Sequence, residues 1–200
     1  MSERAEQTRS ALLEAAASLF AEHGPENVSL NEITRAAGQR NASALQYHFG
    51  GRDGLLRAIL QPRLAAVDAR RAVILDELEE QGAVDAEGLA RALVEPLAAE
   101  LEAEEGRAYL RIMAQLMREG RRAADGPVRA EDSPASLRLA EMARALRPDR
   151  APEVGLLQTR LLLILLWNGL VDWLDVERRP RGGTREEFVR ALTAGIAALV

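Results

Sequence analysis

The 200-residue chain has no cysteine, no lysine and only seven aromatic residues. Without thiols it can hold no disulfide scaffold, no thiol nucleophile and no cysteine-ligated metal. Two histidines, His23 and His48, argue against a histidine-based metal site. Long apolar runs are also missing. The longest, Leu161 to Trp167, falls well short of the roughly 20 residues needed to cross a bilayer. The opening stretch MSERAEQTRS carries no apolar segment of signal-peptide type, so a cytoplasmic protein without a membrane partner is expected. No Gly-rich phosphate loop, nucleophile elbow or HExxH occurs. Carboxylates come in runs such as Glu100, Glu102, Glu104 and Glu105, which read as a solvated helix face. Neither enzymatic activity nor a cofactor or metal is expected.

What is present is a globular helical composition. Apolar residues make up 48% and charged residues 28% of the chain. Ala, Leu, Glu and Arg dominate, β-branched residues are sparse, and no stretch alternates with period two. All 26 basic residues are arginine, mostly a compositional trait, and the formal net charge is −5. Taken whole, that charge speaks against a nucleic-acid binder.

The pattern predicts an all-α fold of about nine helices. The first covers about Arg4 to Glu22, with Leu12, Ala16, Leu19 and Phe20 on one face, and stops at Gly24-Pro25. Ser29-Leu30-Asn31-Glu32 is a capping box, and Val28 and Ile33 occupy the positions of a hydrophobic staple. A short helix therefore covers Leu30 to Ala37 and ends at Gly38. Asn41 is a candidate N-cap for a third helix through His48. Gly50-Gly51 ends that helix, and a long one opens at Arg52-Asp53. Its apolar stripe is Leu56, Leu60, Leu64, Val67, Ile74 and Leu78, and Pro62 is expected to kink or split it. Further helices are expected near Ala86–Glu102, Arg107–Glu119, Pro134–Leu146, Pro152–Val176 and Arg185–Leu199. Ser133-Pro134 reads as an N-cap with proline at N1, and Thr184 to Glu187 as a second capping box. The polar stretch between Gly120 and Ser133 reads as a mobile loop.

Three short helices in the first 50 residues, the last two joined by a glycine-containing turn, form a helix-turn-helix pattern. Ala36 and Ala37 offer a small face for close crossing, and Gly38 permits a left-handed turn. Arg40, Asn41, Ser43 and Gln46 give the third helix a polar outer face whose side chains can read base edges. Charge is uneven: the stretch Ile33–Arg63 carries +4 and the remainder −9. A local basic patch thus sits in an acidic chain, with the acidic excess in the larger C-terminal part.

On these residues the chain resembles the TetR/AcrR family of helix-turn-helix transcriptional regulators. The resemblance rests on Leu12 to Phe20, Val28 to Ile33, Ala36-Ala37-Gly38, Tyr47-His48-Phe49, and then a small-residue turn, a basic residue and Leu55-Leu56. It covers roughly residues 8 to 60. It implies that Ser29 contacts a phosphate, that the third helix carries the base readers, and that Arg52 holds the DNA backbone. The family commonly has lysine at that last position, and arginine replaces it only where a point charge suffices. Gly38 to Phe49 is one residue longer than the usual spacing, so the family's phosphate-binding tyrosine corresponds to Tyr47 or to the position of Gln46. For Tyr47 phosphate contact and packing stand level, His48 is structural or a phosphate contact, and Phe49 reads as core.

Two domains are expected: residues 1–51 for DNA binding, and 52–200 for dimerisation and effector binding. Val154 to Leu174 is apolar on more than one face, as a helix buried on several sides would be. The resemblance implies a homodimer through the last two helices and a palindromic double-stranded DNA operator. A small apolar effector is a possible partner, and Tyr109, Met113, Met117 and Trp167 are candidate pocket residues. The expected function is a ligand-responsive repressor. The alternatives are a helical protein–protein interaction module and a constitutive regulator without an effector.

Overall fold

The computed structural model describes residues 3–39, 43–118, 127–176 and 183–200. Among these it contains nine α-helices, two short 3₁₀ turns and no strand. The helices are α1 (Glu3–His23), α2 (Leu30–Ala36), α3 (Ser43–Phe49), α4 (Arg52–Glu80) and α5 (Ala86–Ala98). They continue with α6 (Glu104–Arg118), α7 (Pro134–Leu146), α8 (Pro152–Val176) and α9 (Arg185–Ala197). The 3₁₀ turns are Ala99–Leu101 and Ala130–Asp132. Half of the loop expected between Gly120 and Ser133, residues 121–126, lies outside the described residues.

Two compact units emerge. The first joins Met1–Leu64 to Ala103–Asp132, and the second joins Ala65–Glu102 to Ser133–Val200. In the first unit α1 packs against α2, α3 and α6. Leu12, Ala16 and Phe20, one turn apart each, are fully buried with Ile33, Leu45, Leu55, Leu56 and Leu60. Tyr109, Leu110, Ile112, Met113 and Leu116 of α6 belong to the same unit's buried set.

Pro62 does not split α4, which is helical throughout. The proline is exposed, where the carbonyl left unpaired by its missing N–H can turn to water. The stripe expected on α4 is correct at Leu56, Leu60, Leu64, Val67 and Leu78, but Leu75 is buried and Ile74 only half-buried. The helix also buries two charges, Asp68 and Arg71, which hydropathy alone would have placed outside.

In the second unit α5 packs on α7 and α9, and α8 on α9. Gly169 and Gly195 permit the α8–α9 approach: a Cβ on either would lie 3.2 Å from a leucine methyl, of Leu192 and Leu165 respectively. Trp173 stacks on Phe188 with ring centroids 4.6 Å apart. Ser133 does stand at the N-cap of α7, yet its side chain makes no cap bond there. Asp68 does that work from α4. Its carboxylate accepts the N–H groups of Ala135 (3.1 Å) and Ser136 (3.2 Å), and the Ser133 hydroxyl donates to it. Arg71 lies 3.7 Å from the same carboxylate and donates to the Ala92 carbonyl (3.2 Å) and the Ser136 hydroxyl (2.6 Å).

One face of α8 is packed, through Leu166, Trp167, Leu170, Trp173 and Leu174. On the opposite face Val154, Leu157, Leu161, Ile164 and Leu165 are exposed, so burial on several sides does not occur within one chain. By length and composition alone α8 is apolar enough to cross a membrane, which the short uninterrupted run Leu161 to Trp167 did not suggest. Core helices with apolar residues on two faces share that property.

Candidate nucleic-acid interface

The second helix starts on a complete capping box. The Ser29 hydroxyl oxygen accepts the Glu32 N–H at 3.2 Å, and the Glu32 carboxylate accepts both the Ser29 N–H and its hydroxyl at 2.7 Å. The hydrogen bond from the Ser29 side chain, followed by that from its backbone, holds the Glu32 carboxyl below the ordinary glutamate range. Ser29 itself is exposed. Val28 and Ile33, the staple residues, are both buried.

At the other end Gly38 takes φ +67°, which a side chain would disfavour. Its N–H bonds the Arg35 carbonyl (3.0 Å), and the Gln39 N–H bonds the Thr34 carbonyl (2.9 Å). This pair of bonds is a Schellman turn, and it ends α2 where the helix-turn-helix needs a change of direction. The small face expected at Ala36 is not used for a crossing. Ala36 is exposed, and α2 is buried through Ile33 and Thr34.

Arg40 and Asn41, two of the expected base readers, lie outside the described residues. Ser43 opens α3. Gln46 is exposed, and Tyr47 is 85% exposed with its ring set edge-on to His48 at 5.2 Å. Tyr47 is therefore no core residue in this structure. His48 and Phe49 are half-buried, so Phe49 corrects the expectation of full burial. The Arg9 guanidinium covers the Phe49 ring at 5.6 Å, which explains how an aromatic ring rests at the rim. From α3, Leu45 is fully buried.

Gly50 and Gly51 follow at φ +71° and +119°, and α4 begins. Arg52 does not point freely outward. Its guanidinium donates to the Pro25 carbonyl and lies 5.9 Å from the centre of the Phe20 ring. Arg63 stands 3.6 Å from Glu105. Over its full sequence the first unit holds thirteen acidic and thirteen basic residues, so the positive charge of Ile33–Arg63 is local even there.

The short capped α2, the left-handed glycine turn and the solvent-facing α3 are the parts of a helix-turn-helix. Residues 12–59 match the family of bacterial regulatory proteins, tetR family. This stretch is a tetR-family DNA-binding region. No curated protein matches the chain by sequence. Solved tetR-family structures share the fold along nearly its whole length. A TetR-family transcription regulator from Marinobacter aquaeolei VT8 is 17% identical, with a TM-score of 0.60 over 100% of this chain and 98% of that one. NalD, the secondary repressor of the MexAB-OprM multidrug efflux pump in Pseudomonas aeruginosa, is 24% identical, with a TM-score of 0.58 over 98% and 96%. The fold is thus that of tetR-family transcription regulators.

The four expected pocket residues divide between the units. Tyr109 and Met113 are buried and Met117 half-buried on α6, in the first unit, and Trp167 is buried on α8, in the second. A cleft of about 730 Å³ in the second unit is lined by α5 and α9, including Arg91, Glu95, Ala98, Arg190 and Ala194. Another of about 470 Å³ in the first unit is lined by residues of α1 and α2, including Leu19, His23 and Arg35. Neither is lined by any of the four. Sequence reading missed Arg9, whose role emerges only when α1 is laid beside α3.

Proposed function

We propose that this protein is a ligand-responsive transcriptional repressor that binds a palindromic operator as a homodimer. The observation that carries the reading is α3: a short helix between two glycine turns, anchored by Leu45 and presenting Gln46 and Tyr47 to solvent. Gln46 has the amide chemistry for a bidentate contact to adenine, as does Asn41, and the Arg40 guanidinium suits guanine. Ser29, Ser43, Tyr47 and His48 are of types that bind phosphate oxygens and position the helix in the groove. Ser29 would redirect its hydroxyl hydrogen bond from Glu32 to a phosphate.

The exposed apolar ridge of α8 supports dimerisation through α8 and α9. Val154, Leu157, Leu161 and Ile164 follow a three–four spacing, the seam pattern of paired helices. Beside it α9 and its C-cap present small residues, Ala191, Ala194, Gly195 and Ala198, over which large side chains of a second copy can close. A twofold dimer then matches half-sites about 34–36 Å, or multiples of that, apart. Residues 1–51 would be the DNA-binding part and 52–200 the regulatory part, acting in the cytoplasm. Tyr109, Met113 and Met117 in the first unit are candidate contacts for a small apolar effector, and Trp167 is a separate candidate in the second. The Trp167 indole N–H, buried and without a hydrogen-bond partner among the described residues, supplies a donor for one.

Selection of promoter fragments against the purified protein at moderate salt tests the reading. The expected outcome is a palindromic site whose affinity falls steeply as salt rises. The double variant Arg40→Ala, Gln46→Ala should lose that site and remain a folded dimer. Unchanged binding by the double variant would remove α3 from the recognition role. Release of the site by an apolar compound that also raises the melting temperature would identify an effector.

A further inference from the structure

We infer that Arg52 and Arg9 brace the recognition helix from within the domain and that neither serves as a phosphate anchor. The inference rests on the DNA-binding reading above and concerns how α3 is held. Two turns long, α3 has little to fix its rotation, and that rotation decides where Gln46 points. Leu45 supplies one anchor. A second is needed near the C-terminal end, where the chain passes through Gly50 and Gly51 before α4.

Both arginines act there, and both in the same way. Arg9, from α1, lays its guanidinium over Phe49, the last residue of α3, at 5.6 Å, with the Glu6 carboxylate 3.8 Å away. Arg52, the first residue of α4, lays its guanidinium over the fully buried Phe20 at 5.9 Å and donates to the Pro25 carbonyl. No backbone N–H serves that carbonyl among the described residues. Arg52 therefore ties the glycine turn after α3 to the loop between α1 and α2, a few residues before Ser29. The carbonyl holds its Nη1 and the ring its face, so the position of the guanidinium is set from inside the domain.

This geometry needs arginine. A guanidinium can stack by its face while its edge donates, whereas an ammonium is a point charge that does neither well. Arginine in place of lysine at this position then has a specific consequence, beyond the chain's general lack of lysine.

Two variants at position 52 decide the matter, with DNA binding measured as a function of salt on the selected promoter fragment. As a brace, Arg52→Lys and Arg52→Gln both weaken binding about tenfold. The slope of log K against log salt stays as in the unaltered protein, because no phosphate contact is lost. Arg9→Gln behaves likewise. As a phosphate anchor, Arg52→Lys keeps both affinity and slope, and Arg52→Gln lowers the slope by roughly 0.9 per protomer; that result overturns the inference. A readout in the free protein separates this from failure of the DNA reading. Amide exchange over Gln46–Gly50 should quicken in Arg52→Lys without DNA present. Unchanged exchange refutes the brace whatever the protein binds.

Discussion

Replacing Asp68 by alanine probes the buried network of the second unit. Asp68 is 7% exposed and Arg71 3% exposed. The Asp68 carboxylate carries the N-terminus of α7 through two backbone N–H bonds, and it faces the Arg71 guanidinium. Removing it takes the carboxylate from a buried guanidinium and leaves two backbone amides at the start of α7 uncapped. Truncating one partner of a buried pair costs about 3–5 kcal/mol. For a chain of this size each kcal/mol lowers the melting temperature by about 2–4 °C, so the fall should be roughly 6–20 °C. The double variant Asp68→Leu, Arg71→Met removes both charges at similar volume and should lose less than the two single changes combined, because neither charge is left buried without the other. The α7 amides stay uncapped wherever Asp68 is replaced. Urea unfolding at one fixed protomer concentration measures the unaltered protein, Asp68→Ala, the single variants Asp68→Leu and Arg71→Met, and the double variant, with the midpoint shift read at constant slope. A loss below about 1 kcal/mol for Asp68→Ala would refute the argument. So would a double variant as unstable as the two single changes added together, since coupled partners cannot be additive.

Glu32 should contribute to pH dependence. Its carboxyl is held below its ordinary value of 4.5 chiefly by the Ser29 hydroxyl. The folded state is therefore favoured while Glu32 is ionised, and that gain is lost as pH falls through the lowered folded value. The acid limb of a pH–stability curve should accordingly be shallower for Glu32→Gln than for the unaltered protein. Arg138 bridges Asp76 (2.5 Å) and Glu79 (2.6 Å) on α4, and those carboxylates, Glu79 first, raise its pKa. The group is partly exposed, so Arg138→Ala should cost only about 0–1 kcal/mol in urea titration, and nothing measurable in high salt. Leu161→Arg on the exposed face of α8 should give a folded monomer by analytical ultracentrifugation, with the helical circular dichroism unchanged. A persistent dimer would move the interface away from that ridge.

The local grammar of this fold was legible because its signals are short-range. Ser29 and Glu32, Gly38, Gly50-Gly51, and Thr184 with Glu187 each act within four residues. The structure returns the capping boxes and the turn where the spacing put them. The start of α7 at Pro134 followed from proline at a first turn. Long-range choices were not legible. The N-terminus of α7 is served by a carboxylate 67 residues upstream of Ala135, so Ser133 looked like the cap. Over the 29 residues of α4 the hydrophobic period drifts, and the buried stripe passes through Leu75 in place of Ile74.

By itself the sequence determined that the chain is helical, where most helices begin and end, and that a glycine turn joins two short helices in its first 50 residues. Capping and propensity are properties of neighbours along the chain, so one dimension suffices for them. Only the tertiary structure decided which arginines are spent indoors, Arg9 on Phe49, Arg52 on Phe20 and Pro25, and Arg71 beside Asp68. A guanidinium reads the same in every sequence. What it does depends on which ring, carbonyl or carboxylate the folded chain carries to within its reach.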